Sequence, residues 1–228
     1  LNKIYSTAKY TLEVTSREFF IDGAKRDRWV WSGDAYQSYF VNYYLTRDRE
    51  TAKRTIRMLR GKDPITQHIN TITDYTFYWI CSVWDYYFFT KDIEFVKDIY
   101  PDMLAFMSFI EKRLSGDGMF TTRDGDWVFI DWAKFDSKEG PLCAEQMLLS
   151  HAYSAMSSCA MLVNDTRMAE HCRERAEYVK NKINELYWDE EKGAFVDDYT
   201  SGRRNVTRHA NIFALLFNLT TEERKESI

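Results

Sequence analysis

Residues 74–89 read Asp74-Tyr75-Thr76-Phe77-Tyr78-Trp79-Ile80-Cys81-Ser82-Val83-Trp84-Asp85-Tyr86-Tyr87-Phe88-Phe89, and this stretch constrains the fold most tightly. Wound as a helix, it is apolar nearly all round, so neighbours must enclose it on several sides. The segments around it carry helical spacing of a different kind. Residues 49–60 put Ala52, Ile56 and Leu59 on one face, with Gly61 suited to the C-terminal cap. Residues 167–187 put Ala169, Cys172, Ala176, Val179, Ile183 and Leu186 inside, and Arg173, Glu177 and Lys180 outside. A stripe of Leu149, Ala152, Met156, Cys159 and Val163 marks a further helix over 141–163. Strongly aromatic helices alternating with one-faced helices imply an inner and an outer ring, an all-α toroid.

Composition agrees with that reading. Only 3 Pro and 9 Gly punctuate 228 residues, too few turns for a sandwich or barrel of many short strands. No linker interrupts the chain, which reads as a single domain over 1–228. The net charge of −4 excludes a basic nucleic-acid surface and a polybasic membrane binder. No apolar run reaches the length of a membrane span. Cys81, Cys143, Cys159 and Cys172 follow no metal-ligand spacing and read as small buried side chains, so neither a metal site nor a cofactor is expected. No GxSxG elbow, phosphate-binding loop or dinucleotide fingerprint occurs. The sequence leaves oligomeric state open.

Two loops stand apart from the helices. The first runs Asp22-Gly23-Ala24-Lys25-Arg26-Asp27-Arg28-Trp29-Val30-Trp31-Ser32-Gly33-Asp34. Its carboxylates accept from hydroxyl groups, its guanidinium groups donate to them, and its Trp residues offer platforms for the C–H face of a sugar ring. Gly23 and Gly33 permit tight turns, and Ser32 and Asp34 supply cap chemistry for the helix that follows. The second loop lies within 119–132. Asp124-Gly125 between two short runs predicts a β-hairpin near 119–130 that carries Trp127 and leads into Asp131-Trp132. Trp79 and Trp84 have the core as their default, whereas Trp29, Trp31, Trp127 and Trp132 fall in or beside loops, mostly near an Asp. Carbohydrate binding explains that placement economically. His209, after a polar loop, is a pocket candidate. His68, His151 and His171 read as structural or exposed. Glu145, an acid on an apolar stripe, admits a functional role or a capping one.

The first loop resembles the signature loop of bacterial α-L-rhamnosidases of glycoside hydrolase family 78. Asp74 with Trp79, Asp85-Tyr86-Tyr87, Asp126-Trp127, Asp131-Trp132 and Arg208-His209-Ala210-Asn211 follow in the family's order, so the resemblance spans nearly the whole chain. It implies an (α/α)6 barrel, present here as its N-terminal portion, that removes terminal α-L-rhamnose with inversion. By motif position Asp22 and Asp34 bind sugar hydroxyls, Arg26 orients the pocket, Trp31, Trp79 and Trp132 wall it, and Asp74, Asp131 and His209 contribute to binding. Asp27 stands where the family has its general-acid Glu. Many members read Arg-Asp-Glu-Arg where this chain has Arg26-Asp27-Arg28, so the acid is one methylene shorter and flanked by two guanidinium groups. The family's general-base Glu is expected beyond residue 228. A rhamnose-containing oligosaccharide or glycoside is the implied partner, and a periplasmic or secreted setting is the family's habit. Another six-hairpin glycosidase, or a sugar-binding relative without turnover, shares the same sequence features.

Overall fold

A computed structural model describes residues 1–25, 27–132 and 140–228. Its helices are α1 (Asn2–Thr15), α2 (Ser32–Leu45), α3 (Arg49–Arg60), α4 (Thr73–Thr90), α5 (Ile93–Glu111), α6 (Cys143–Leu162), α7 (Thr166–Leu186), α8 (Arg208–Leu216) and α9 (Glu222–Lys225). One 3₁₀ turn, Ile69–Thr71, precedes α4, and two short antiparallel strands, β1 (Trp188–Asp189) and β2 (Ala194–Phe195), follow α7.

Two layers follow from which faces are apolar. Helices α2, α4, α6 and α8 are neighbours in that order, while α3 and α5 pack on α4 and α5 and α7 pack on α6. Burial is deepest in the two central helices, and α4 buries 11 of its 18 residues. Of its 20 residues α6 buries 14, whereas α7 buries 5 of 21 and keeps its charged face in solvent. The inner and outer rings anticipated from the sequence are therefore present. Helix starts in the outer layer carry their own caps: Asp48, Asp92 and Asp165 accept the backbone N–H of Thr51, Phe95 and Met168 at 3.0, 3.1 and 3.0 Å. Gly61, at φ +75°, closes α3 in a conformation that a side chain would strain. Pro101 lies within α5 without ending it.

The hairpin anticipated near 119–130 does not form. Asp124 and Gly125 do make a turn, with the Asp126 N–H donating to Arg123 O at 2.9 Å. Each arm then pairs with something else. Phe120 exchanges two bonds with the Gln146 side-chain amide of α6, at 3.0 and 2.7 Å. Trp127 bonds on both sides to the run before α4, donating to Thr71 O and accepting from Thr73 N–H, each at 3.1 Å. Arg113 grips the Asp126 carboxylate at 2.5 and 2.6 Å and anchors the turn to the end of α5. Local turn chemistry was right; partners distant in sequence took the hydrogen bonds that a hairpin needs.

Candidate active site

The loop before α2 is closed by one residue pair. Asp22 N–H donates to Trp29 O at 3.0 Å, and Trp29 N–H donates to the Asp22 carboxylate at 2.9 Å. Ala24 and Arg28 are drawn together within the span that this pair closes, Arg28 Nε donating to Ala24 O at 3.0 Å. Asp27 and Arg28 both adopt left-handed backbone, φ 41° and 52°, a strained choice for consecutive non-glycine residues. Arg26, expected to orient the pocket, lies outside the described residues.

This loop forms one side of a cavity of about 880 Å³. Asp22, Lys25, Asp27, Trp31 and Asp34 line it from the loop and the start of α2, Ile72 and Tyr75 from the start of α4, and Trp127, Phe129, Asp131 and Trp132 from the second loop. The aromatic side is continuous. Trp31 meets Tyr75 edge-on at 6.4 Å, Tyr75 meets Phe129 at 6.0 Å, and Phe129 meets Trp127 at 5.8 Å and Trp132 at 5.1 Å. Each pair sits near the T-shaped geometry that aromatic quadrupoles prefer. Gly33 is explained by this contact rather than by a turn: a Cβ there would stand 2.5 Å from the Tyr75 ring.

Among the described residues, Asp22, Asp27, Asp34 and Asp131 bring carboxylates to the cavity lining. Asp34 is exposed at the mouth and takes the Tyr75 hydroxyl at 3.4 Å. Loss of solvent on its cavity side, and then the charge of Asp22, raise the Asp34 pKa above the usual carboxylate range. Asp34 belongs to the first turn of α2, not to its cap, and Ser32 Oγ donates to Tyr75 O at 2.9 Å instead of capping. His209, from α8, reaches the site through another residue: its Nε2 stands 2.9 Å from Asp131 Oδ2.

Two expected site residues are corrected. Trp79 does not wall the cavity; it is 1% exposed, donates its indole N–H to Ile56 O at 2.8 Å and packs on Phe106. Helix α4 turns that position toward α3 and α5. Asp74 is fully buried beneath the cavity, where it accepts the Phe129 N–H at 3.4 Å, and its neighbour Tyr75 is the residue that lines the space. Tyr75, Phe129 and Ile72 carried no signal of their own, whereas Trp127 was marked by its loop position. Glu145 is buried at the start of α6 and accepts the Thr73 hydroxyl. Burial, reinforced by Asp74, pushes its carboxyl well above the usual range.

Two of the other histidines pack on aromatic side chains. Burial lowers His68 and His151 to about 4, and both sit neutral against aromatic rings, Phe109 and Phe217 respectively. All four cysteines are free and buried. Among the described residues no group of three or more His, Cys, Asp or Glu side chains is placed to hold a metal ion, and no helix is long and apolar enough to cross a membrane. A cleft with carboxylates on one side and an aromatic shelf on the other suits a ligand with hydroxyl groups and one apolar face.

Comparison with known proteins meets this geometry. The model of the bacterial α-L-rhamnosidase 6-hairpin glycosidase domain matches residues 1–228. A family 78 rhamnosidase from Bacillus sp. GL1 superposes with a TM-score of 0.87 at 22% identity, over 96% of this chain and 24% of that one. A rhamnosidase from Klebsiella oxytoca, solved with rhamnose bound, gives 0.82 at 23% identity over 96% of this chain and 44% of that one. The α-L-rhamnosidase of Dictyoglomus thermophilum gives 0.75 at 15% identity, over 99% of this chain and 27% of that one. The chain thus spans between about a quarter and under half of the length of these structures. No curated protein sequence matches it.

Proposed function

The chain belongs to the bacterial α-L-rhamnosidase six-hairpin glycosidase family, and on that premise we propose that its cavity binds a terminal L-rhamnosyl unit for hydrolysis with inversion. The observation that carries the reading is the convergence of Asp22, Asp27 and Trp31 from one loop, and Asp34 from the helix turn after it, on a shelf of Tyr75, Phe129 and Trp132. L-Rhamnose is a 6-deoxy sugar. Its ring hydroxyls match carboxylate acceptors, while its methyl group and C–H face match an aromatic wall. A neighbouring structure that holds rhamnose supports the same choice of sugar.

Asp27 is the proposed general acid. It would protonate the glycosidic oxygen as the bond to the anomeric carbon breaks, while a second carboxylate removes a proton from the attacking water on the opposite face. Inversion leaves roughly 6.5–9.5 Å between the two carboxyl groups for that water. Asp22 and Asp34 hold ring hydroxyls, and Asp131, oriented by His209, adds a further acceptor. The reading assigns the water-activating carboxylate to a residue outside 1–228.

The test is turnover of an aryl α-L-rhamnoside by the intact protein and by its Asp27→Asn variant. With a poor leaving group the substitution is expected to lower kcat about 10²–10⁴-fold, the usual contribution of a positioned acid. Near-normal turnover in the variant would reassign the acid. Sustained turnover by residues 1–228 alone would bring the second carboxylate inside them.

A further inference from the structure

Helix α2 begins without a cap of its own: no side-chain bond comes from Trp31, its N-cap residue. Yet Ser32 is 2% exposed and Val30 3% exposed, so the backbone groups flanking Trp31 are shut off from solvent. One side chain from elsewhere serves both. The Asn70 amide accepts the Ser32 N–H on its oxygen at 3.0 Å and donates from its nitrogen to Val30 O at 3.1 Å. The orientation is fixed by chemistry, since an N–H can only donate and a carbonyl can only accept.

Asn70 is itself held in a left-handed conformation, φ 54° and ψ 19°. Asn tolerates that region better than other side chains, but Thr71, which follows at φ 65°, is β-branched and does not. Such strain persists only where the surroundings over-determine it. Here Thr71 O accepts the Trp127 N–H at 3.1 Å, and Thr71 Oγ1 bonds back to Asn70 O at 2.6 Å. A single two-residue segment therefore touches both walls of the cavity: the amide of Asn70 holds the backbone around Trp31, and the carbonyl of Thr71 holds Trp127.

We infer that Asn70 is a positioning residue, capping α2 from another part of the chain and setting the distance between the Trp31 wall and the Trp127–Phe129 wall. It does not line the cavity and acts through the backbone that bears Trp31 and Asp34. The consequence for a sugar rests on the rhamnose reading above.

Three substitutions in the intact protein test it. Asn70→Gly keeps the left-handed backbone without strain and removes both bonds. Asn70→Asp keeps the acceptor for Ser32 and removes the donor to Val30. Asn70→Ala removes both bonds and adds backbone strain. Amide hydrogen exchange at Ser32 without sugar, and calorimetric affinity for L-rhamnose, are then compared. In Asn70→Gly, Ser32 should exchange at least about tenfold faster and L-rhamnose should bind at least about tenfold more weakly, as loss of a buried hydrogen bond requires. Asn70→Asp should fall between Gly and wild type. Unchanged Ser32 exchange overturns the inference. So does faster exchange with unchanged affinity of the folded protein, because the bonds would then be structural only. If wild-type protein binds no L-rhamnose the substrate reading fails, and the exchange at Ser32 still decides whether Asn70 caps α2.

Discussion

Trp79 and Trp132 are the same side chain put to opposite uses. Trp79 sits in α4 at 1% exposure, its N–H satisfied by Ile56 O and its rings against Phe106. Trp132 stands on the cavity rim at 83% exposure, supported on one side by Phe129. The first is held by everything around it, so its surroundings fix its place. The second leaves most of an indole in water, an arrangement that costs hydrophobic free energy unless something comes to cover it. The molecule thus has an aromatic interior that holds the helices together and, at Trp132, an exposed aromatic rim that contributes little to folding.

That contrast can be broken experimentally. The largest effect should come from Trp79→Ala, which removes a buried aromatic and orphans the Ile56 carbonyl; about 3–5 kcal/mol of stability should be lost by urea denaturation. A loss under 1 kcal/mol would place Trp79 outside the core. Next comes Asp85, whose carboxylate accepts the Tyr36 hydroxyl at 2.9 Å. Burial raises its pKa from 3.8 to about 6, and the Tyr36 bond opposes that shift. The folded chain therefore holds a proton there that the unfolded chain releases. The stabilisation is complete below 3.8 and is lost as pH rises toward about 6. Relative to wild type, Asp85→Asn should gain stability across that window, by at most about 3 kcal/mol, and the gain should level off above it. A pH-independent difference between the two proteins would remove the assignment.

On the shelf the effects move from stability to binding. Trp31→Ala should weaken L-rhamnose binding about tenfold or more, the loss of one aromatic platform, with a smaller cost in stability than Trp79→Ala. Equal affinity would take Trp31 out of the sugar contact. The smallest stability change belongs to Trp132→Ala, which should leave the urea midpoint within about 0.5 kcal/mol of wild type, as at exposed positions generally. A larger loss would make Trp132 a packing residue and erase the contrast with Trp79.

These two regions also differ in how far the sequence disclosed them. The helices were legible because their signals are local. The apolar stripe of α3 fixed its span over 49–60, and that of α7 placed a helix over 167–187 where the structure has Thr166–Leu186. The carboxylates of the first loop were legible because Asp22, Asp27 and Asp34 occur within a run of thirteen residues and reach the cavity together. What failed depended on orientation or on distant partners. The helical position of Trp79 pointed to the core, where it lies, and it was the resemblance that put Trp79 and Asp74 at the site. Spacing inside a helix apolar all round could not single out Tyr75, which is there. Within 119–130 the Asp-Gly turn was visible, but Gln146, Thr71 and Arg113, which claim the arms on either side, are far along the chain. Asn70 left no trace at all, since a lone Asn before a helix has many ordinary explanations.

The close approach of Gly33 to Tyr75 bears on how such a site can diversify. Any side chain at position 33 would collide with a ring that is 5% exposed and contacts both Trp31 and Phe129. Innovation is closed at that seam, because widening it would require α2 and α4 to separate as whole helices. Gly23, Ala24 and Lys25 of the first loop and Trp127, Phe129, Asp131 and Trp132 of the second border the same space without lying on that seam. Laboratory evolution toward bulkier glycosides should therefore accumulate its accepted changes in those two loops and leave position 33 untouched.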